Sequence, residues 1–228
     1  MARPAGILLD FYGTVVREDD RPIALISQEI ARVSPLQPTP GQVSSHWGLL
    51  FDRLCSDSYG ENFRLQREIE LMSLGDVLRH FEAYLDGERL SQVLFEYWAR
   101  SPAFPESRSV IARCGLPICL VSNTDNADLA SALRHNGLAF ELIVTSEDCR
   151  AYKPHPAPFE RALSLLGLPP SHALHVGDSW GSDVVGAQAA GIPVLSINRR
   201  QRPIPDGGSP PTFMAADLTG LLEIVGPS

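Results

Sequence analysis

The 228-residue chain predicts an α/β fold, a Rossmann-like parallel sheet with helices on both faces and an inserted α-helical cap. Three observations carry this. Short apolar runs without polar alternation, such as residues 7–9 and 117–121, fit strands buried on both faces. From residue 117 onward such runs alternate with helix-length segments closed by glycine, the pattern of βαβ units. Between the first run and the rest, residues 17–87 show helical periodicity and little strand signal.

The first run ends at Asp10. Its carboxylate would emerge at the strand's carboxyl end, the edge where open α/β sheets bind ligands. Gly13 and Thr14 then supply a turn and a hydroxyl. Residues 17–22 are charged, end in Pro22 and read as a linker. Residues 23–33 place Ile and Leu at helical intervals. Thr39-Pro40 is an N-cap followed by proline, opening a helix with Val43, Trp47, Leu50, Phe51 and Leu54 on one face. Residues 63–84 form another amphipathic run, with a break expected near Gly75. A helix over 88–98 leads back to the sheet. The domain reading is therefore a core of residues 1–16 and 88–228, with residues 17–87 as the helical insert. Further strands are expected at 140–144, 173–176 and 193–197, and helices at 127–135, 157–166, 184–190 and 216–225. Residues 199–212, rich in Pro and Gly, read as an irregular exposed loop.

Composition narrows the function classes. Apolar residues make up 44%, enough for a sizeable core, and the net charge is −8. The densest basic stretch, Arg199-Arg200-Gln201-Arg202, is too short for a nucleic-acid surface and reads as a solvated loop. Cys55, Cys114, Cys119 and Cys149 form no metal or disulfide spacing, which predicts reduced thiols and a cytoplasmic protein. The first strand starts too early to leave room for a signal peptide. No apolar run approaches the ~18 residues of a membrane span. Of the 19 basic residues only Lys153 is lysine, which marks a place for a compact ammonium rather than a guanidinium fork.

Parallel strands bring their carboxyl ends together. Asp10 is thereby joined by Ser122 and Asn123, by Lys153 in a loop after a strand, and by Asp178 with Asp183. Such a set can do phosphoryl chemistry. Asp10 can attack phosphorus and form a covalent intermediate. Two carboxylates facing a phosphate need a divalent cation, and Asp10 with Asp178 offers hard oxygen ligands for Mg²⁺. Lys153 neutralises the nucleophile and the transferring group, and Ser122 with nearby N–H groups can hold phosphate oxygens.

The chain resembles the haloacid dehalogenase-like hydrolase superfamily. The resemblance rests on Asp10-Phe11-Tyr12-Gly13-Thr14, Val121-Ser122-Asn123, Tyr152-Lys153-Pro154, and Val176-Gly177-Asp178-Ser179 with Asp183. It implies a helical cap between the first and second motifs. It further implies that Asp10 is the covalent nucleophile, that Tyr12 offers its backbone carbonyl to Mg²⁺, and that Thr14 and Ser122 bind the transferring group. Lys153 would hold Asp10 and the phosphate. Asp178 would bind the metal, and Asp183 would bind it or orient its waters. Most phosphatases of the superfamily carry a second aspartate, their general acid, where this chain has Tyr12. Whether its phenol supplies the proton is open, and Tyr12 counts as a candidate catalytic residue. The dehalogenases share Asp-x-Tyr-Gly-Thr, use no metal, and carry a cap arginine where Gly48 follows Trp47 here.

The expected function is an Mg²⁺-dependent phosphatase for a small phosphorylated metabolite, because Asp178 and Asp183 beside Asp10 are costly without a cation. The alternatives are a metal-independent 2-haloacid dehalogenase and a catalytically weak binding or regulatory protein. No nucleic-acid or membrane partner is expected. Cap candidates for substrate contact are Arg17, Asp20, His46, Trp47, Arg53, Tyr59 and Asn62. The histidines at 80, 135, 155, 172 and 175 lack ligand spacing and receive no role.

Overall fold

The structure, a computed structural model, describes residues 3–226. Met1, Ala2, Pro227 and Ser228, the outer ends of the expected core segments, lie outside the described residues. Among the described residues six strands form one parallel sheet: β1 (Gly6–Leu9), β2 (Ile118–Ser122), β3 (Leu142–Thr145), β4 (Ala173–Gly177), β5 (Val194–Ile197) and β6 (Phe213–Ala215), in the order β3-β2-β1-β4-β5-β6. The chain winds outward from β1 to β3, then returns past β1 to build the other half. The direction of winding thus switches beside β1, and the crevice at the strands' carboxyl ends opens there.

β1 has no exposed residue, as its unalternating sequence requires. Ile7 and Leu9 face one apolar cluster with Leu120, Leu174 and Val176, whereas Leu8 faces the other with Val121, Phe159 and Val194. The helices that cover these faces are α5 (Ser107–Arg113), α6 (Asn126–Asn136), α7 (Ser146–Cys149), α8 (Pro156–Leu166), α9 (Gly186–Ala189) and α10 (Gly220–Val225). The helical insert holds α1 (Asp20–Val33), α2 (Pro40–Asp57) and α3 (Gln66–His80), and α4 (Gly87–Trp98) follows. α4 adds Leu94, Phe95 and Trp98 to one cluster with Ile26 and Ile30 of α1, Val43 and Trp47 of α2, and Leu74 and Val77 of α3. This apolar core therefore runs past residue 87.

Several elements depart from the sequence pattern for local reasons. α1 begins at Asp20, inside the expected linker, because Pro22 sits in the first turn where its missing N–H costs nothing. α2 begins as expected, with Thr39 and Gln42 forming a reciprocal capping box. α3 runs through Gly75 without a break, held by Leu74, Val77 and Leu78 in the cluster against a glycine penalty of about 1 kcal/mol. α5 and β6 are not anticipated. β6 has three residues, too few to show alternation, and pairs only with β5.

Two features fasten the helical insert over the sheet edge. The Asp125 carboxylate, after β2, accepts from the backbone N–H of Gln66 at 2.7 Å and of Arg67 at 3.1 Å, capping α3 from the opposite layer. The Arg67 guanidinium then binds both oxygens of the buried Asp128. Among the described residues no helix is long and apolar enough to cross a membrane. The four cysteines are free.

Candidate active site

Asp10 follows β1, its N–H bonded to the Val176 carbonyl of β4 at 2.9 Å. Lys153 approaches from the loop before α8. Its Nζ donates to Asp10 Oδ1 at 2.8 Å, to Asp183 Oδ1 at 2.6 Å and to the Val121 carbonyl at 3.0 Å. Lys153 is only 4% exposed. Asn123 holds the loop in register: Oδ1 accepts from the Lys153 N–H and Nδ2 donates to the Lys153 carbonyl. Asn123 thus acts here through the lysine backbone. Ser122 ends β2, buried at the same edge.

One oxygen each of Asp10, Asp178 and Asp183 lies within 4.8 Å of the others. Burial, opposed by Lys153 and reinforced by Asp183, pushes the Asp10 carboxyl up to about 6. Burial, with the charges of Asp10, Asp183 and Glu18 adding to it, pushes Asp178 well above the usual carboxylate range. For Asp183 the penalty of burial is outweighed by Lys153 and His175, which hold it well below that range. Lys153 likewise resists the lowering effect of burial, because Asp10 and Asp183 keep it above the usual ammonium value. The site is therefore one firm ion pair, Lys153 with Asp183, beside two carboxyls that resist ionisation.

The free donors fit a hard divalent cation. Asp10 Oδ2 is buried and without a partner among the described residues, and Asp178 receives only the Thr14 hydroxyl at 3.3 Å. Both Asp183 oxygens are engaged: Oδ1 by Lys153 and His175, Oδ2 by the Ser179 N–H at 3.0 Å. Gly13 keeps the wall thin. It has φ +87°, and a Cβ there would lie 2.3 Å from Asp178 Oδ1. Gly13→Ala is expected to lower activity at least about 10-fold through this clash and to weaken Mg²⁺ binding. Activity and metal titration of the variant check it.

A profile of haloacid dehalogenase-like hydrolases matches residues 4–191. The chain belongs to that family. It is 32% identical over 188 residues to haloacid dehalogenase-like hydrolase domain-containing protein 3 of Danio rerio, 75% of each chain. Phosphoglycolate phosphatase of Yersinia pseudotuberculosis is 38% identical over 102 residues, 42% of this chain and 44% of that one. The crystal structure of an L-2-haloacid dehalogenase superposes with a TM-score of 0.82, covering 98% of this chain and 99% of its own at 23% identity, a likeness of fold.

Within this haloacid dehalogenase-like hydrolase the Tyr12 phenol turns toward the end of α4, donating to the Trp98 carbonyl at 2.9 Å. Burial pushes its pKa well above the usual phenol value. A cavity of about 540 Å³ separates the insert from the sheet edge and reaches Lys153 and Asn123. Of the seven cap candidates, Trp47 lines it. Arg17 and Asp20 line a second groove that reaches Gly13 and Asp178, His46 stacks on His80, Arg53 pairs with Asp57, Tyr59 stacks on His155, and Asn62 is exposed in a short turn.

Two readings need correction. Arg199 is not a solvated residue. It donates to the Thr14 carbonyl at 3.0 Å, pairs with Glu106 and lies 3.5 Å over the Phe104 ring, bracing the loop after β1. His175 does have a role. It is fully buried, and its Nε2 lies 2.9 Å from Asp183 Oδ1. Burial lowers its pKa despite the hydrogen bond to Asp183, which favours the neutral ring. A lone polar residue inside an apolar strand was the available signal.

Proposed function

We propose that the protein is a phosphate-ester hydrolase working through an aspartyl-phosphate on Asp10, with Mg²⁺ held by Asp10, Asp178 and the Tyr12 carbonyl. The observation that carries this reading is the three-carboxylate cluster with its unpartnered Asp10 Oδ2. A buried anion without a partner is unstable, and a cation offsets it. Bound Mg²⁺ would neutralise charge on the cluster and on the phosphate. Asp10 attacks phosphorus and the P–O bond breaks, the departing alkoxide taking a proton from water; a second water then hydrolyses the aspartyl-phosphate, restoring the carboxylate and releasing inorganic phosphate. Lys153 stays charged throughout and balances the transferring group. Asp183 and His175 fix the lysine, while Ser122 and Thr14 stand at the edge that the phosphate oxygens reach.

Tyr12 favours the second reading, a metal-independent 2-haloacid dehalogenase. Against it, Gly48 lines the cavity where a carboxylate-binding arginine would be needed. Hydrolysis of p-nitrophenyl phosphate that collapses with chelator supports the phosphatase. Chloride release from 2-chloropropionate, indifferent to chelator, would replace it with the dehalogenase.

The cluster also sets a pH signature. Asp10 has a folded pKa of about 6 against an unfolded 3.8, so between these values the folded chain holds more protons. Stability without metal therefore falls as pH rises through that window. Mg²⁺ relieves the repulsion, so its increment in Tm is expected to be larger at pH 7.5 than at pH 4.5. Thermal melts with Mg²⁺ and with chelator at the two pH values check this, and equal increments would overturn it.

A further inference from the structure

The cavity that reaches Lys153, the partner of Asp10, has a second wall, in the helical insert, that phosphoryl transfer leaves unused. Glu70 of α3 lines it and is 3% exposed, and its Oε1 has no hydrogen-bond partner among the described residues. Gln66 Oε1, on the same wall, is also buried and unpartnered. Gln66 Oε1 is an acceptor, and Glu70 Oε1 becomes one when the carboxyl ionises, so a cationic donor would serve both. Asp19 lines the cavity as well, accepting from Trp98 Nε1 at 2.7 Å and adding a second acid. Trp47, Phe51 and Trp98 supply aromatic lining.

The sign of the charge is one-sided. Among the described residues lining this cavity the one lysine or arginine is Lys153, already committed to Asp10 and Asp183. An anionic tail on the substrate would meet Glu70 and Asp19 with no guanidinium to offset them. A cationic tail would supply the missing donor and gain from the aromatic rings. Burial, with Asp19 adding to it, pushes the Glu70 carboxyl up to about 8, as expected for an acid whose counter-charge arrives with a ligand.

We propose that this wall selects phosphate esters whose leaving alcohol carries a positively charged nitrogen, with Glu70 as the main contact and Asp19, Gln66 and the aromatic rings around it. The phosphate end of this assignment rests on the phosphatase reading. The ammonium end rests on Glu70 and its surroundings. Esters ending in a carboxylate, phosphoglycolate among them, are poor substrates on this account.

The test compares kcat/KM for 2-aminoethyl phosphate, 2-hydroxyethyl phosphate and phosphoglycolate, with p-nitrophenyl phosphate as an independent gauge of phosphoryl transfer. The amine is expected to exceed the hydroxyl ester by about 10- to 100-fold, and this ratio is expected to fall toward one in Glu70→Gln, chiefly through KM. If p-nitrophenyl phosphate is hydrolysed but the amine is not preferred, the inference is overturned and the phosphatase stands. If no phosphate ester is hydrolysed, the phosphatase reading falls and the ammonium site is judged by binding alone. Saturable quenching of tryptophan fluorescence by benzyltrimethylammonium, weakened about 10-fold in Glu70→Gln, then supports it, and the absence of saturable quenching overturns it.

Discussion

Asp10→Asn is expected to lose phosphatase turnover by about 10⁴-fold or more and, without metal, to be more stable than the parent at pH 7.5. The amide keeps an acceptor for Lys153 Nζ but cannot attack phosphorus. It also removes a carboxylate that burial resists ionising, as shown by a pKa raised to about 6 from 3.8. At pH 7.5 that reluctance corresponds to about 3 kcal/mol against the folded state, absent only below about pH 3 where both states are protonated. Urea unfolding with chelator at the two pH values measures it. A variant less stable than the parent at pH 7.5 would show that Asp10 is a net stabilising partner of Lys153. This is a site that trades stability for chemistry.

Lys153 gives the second large effect. Its Nζ serves three acceptors at 2.6–3.0 Å while almost fully enclosed. Lys153→Met leaves Asp10 and Asp183 without their buried cation and is expected to cost about 3–5 kcal/mol of stability, with turnover lost. Lys153→Arg keeps the charge, but a planar guanidinium cannot direct one atom to all three acceptors. An activity loss of about 10³-fold is expected, with the fold retained. Urea unfolding and kcat/KM on both variants check this, and near-parental activity in the arginine variant would refute the need for a point charge. Because Asp183 is held below its usual range by Lys153 and His175, its contribution is fully present above pH 4 and is lost only as pH falls through its depressed folded value.

Local regularities made much of this molecule legible. The central strands β1, β2 and β4 are buried on both faces, so their sequences are largely apolar and each is followed or ended by a polar residue. Asp10, Ser122 and Asp178 stand at or just past such ends, and parallel pairing does the rest. Lys153 stood out because arginine was used everywhere else. The features that escaped depend on partners distant in the chain. Tyr12 donates to Trp98, Arg199 braces Thr14, and Asp125 caps α3. No spacing rule links such pairs. Of the cap candidates Trp47 lines the cavity, whereas most others point elsewhere, because a helix presents only one face to it. Glu70 lies in an amphipathic run between Ile69 and buried Ser73, Leu74 and Val77. A carboxylate on that buried face was the available clue.

The carboxylate of Asp125 at the start of α3 bears on how substrates come and go. Its two backbone bonds and the Arg67–Asp128 pair join the layers on either side of the cavity. Separating the layers uncaps a helix and breaks an ion pair, a cost of about 1 kcal/mol for each. Together these make the parted arrangement rarer by roughly 30-fold than it would be for unfastened layers. With the layers joined, the nucleophile Asp10 is only 6% exposed. Any widening of the crevice must first release a helix cap remote from Asp10, so a contact far from the chemistry bears on how substrate reaches it.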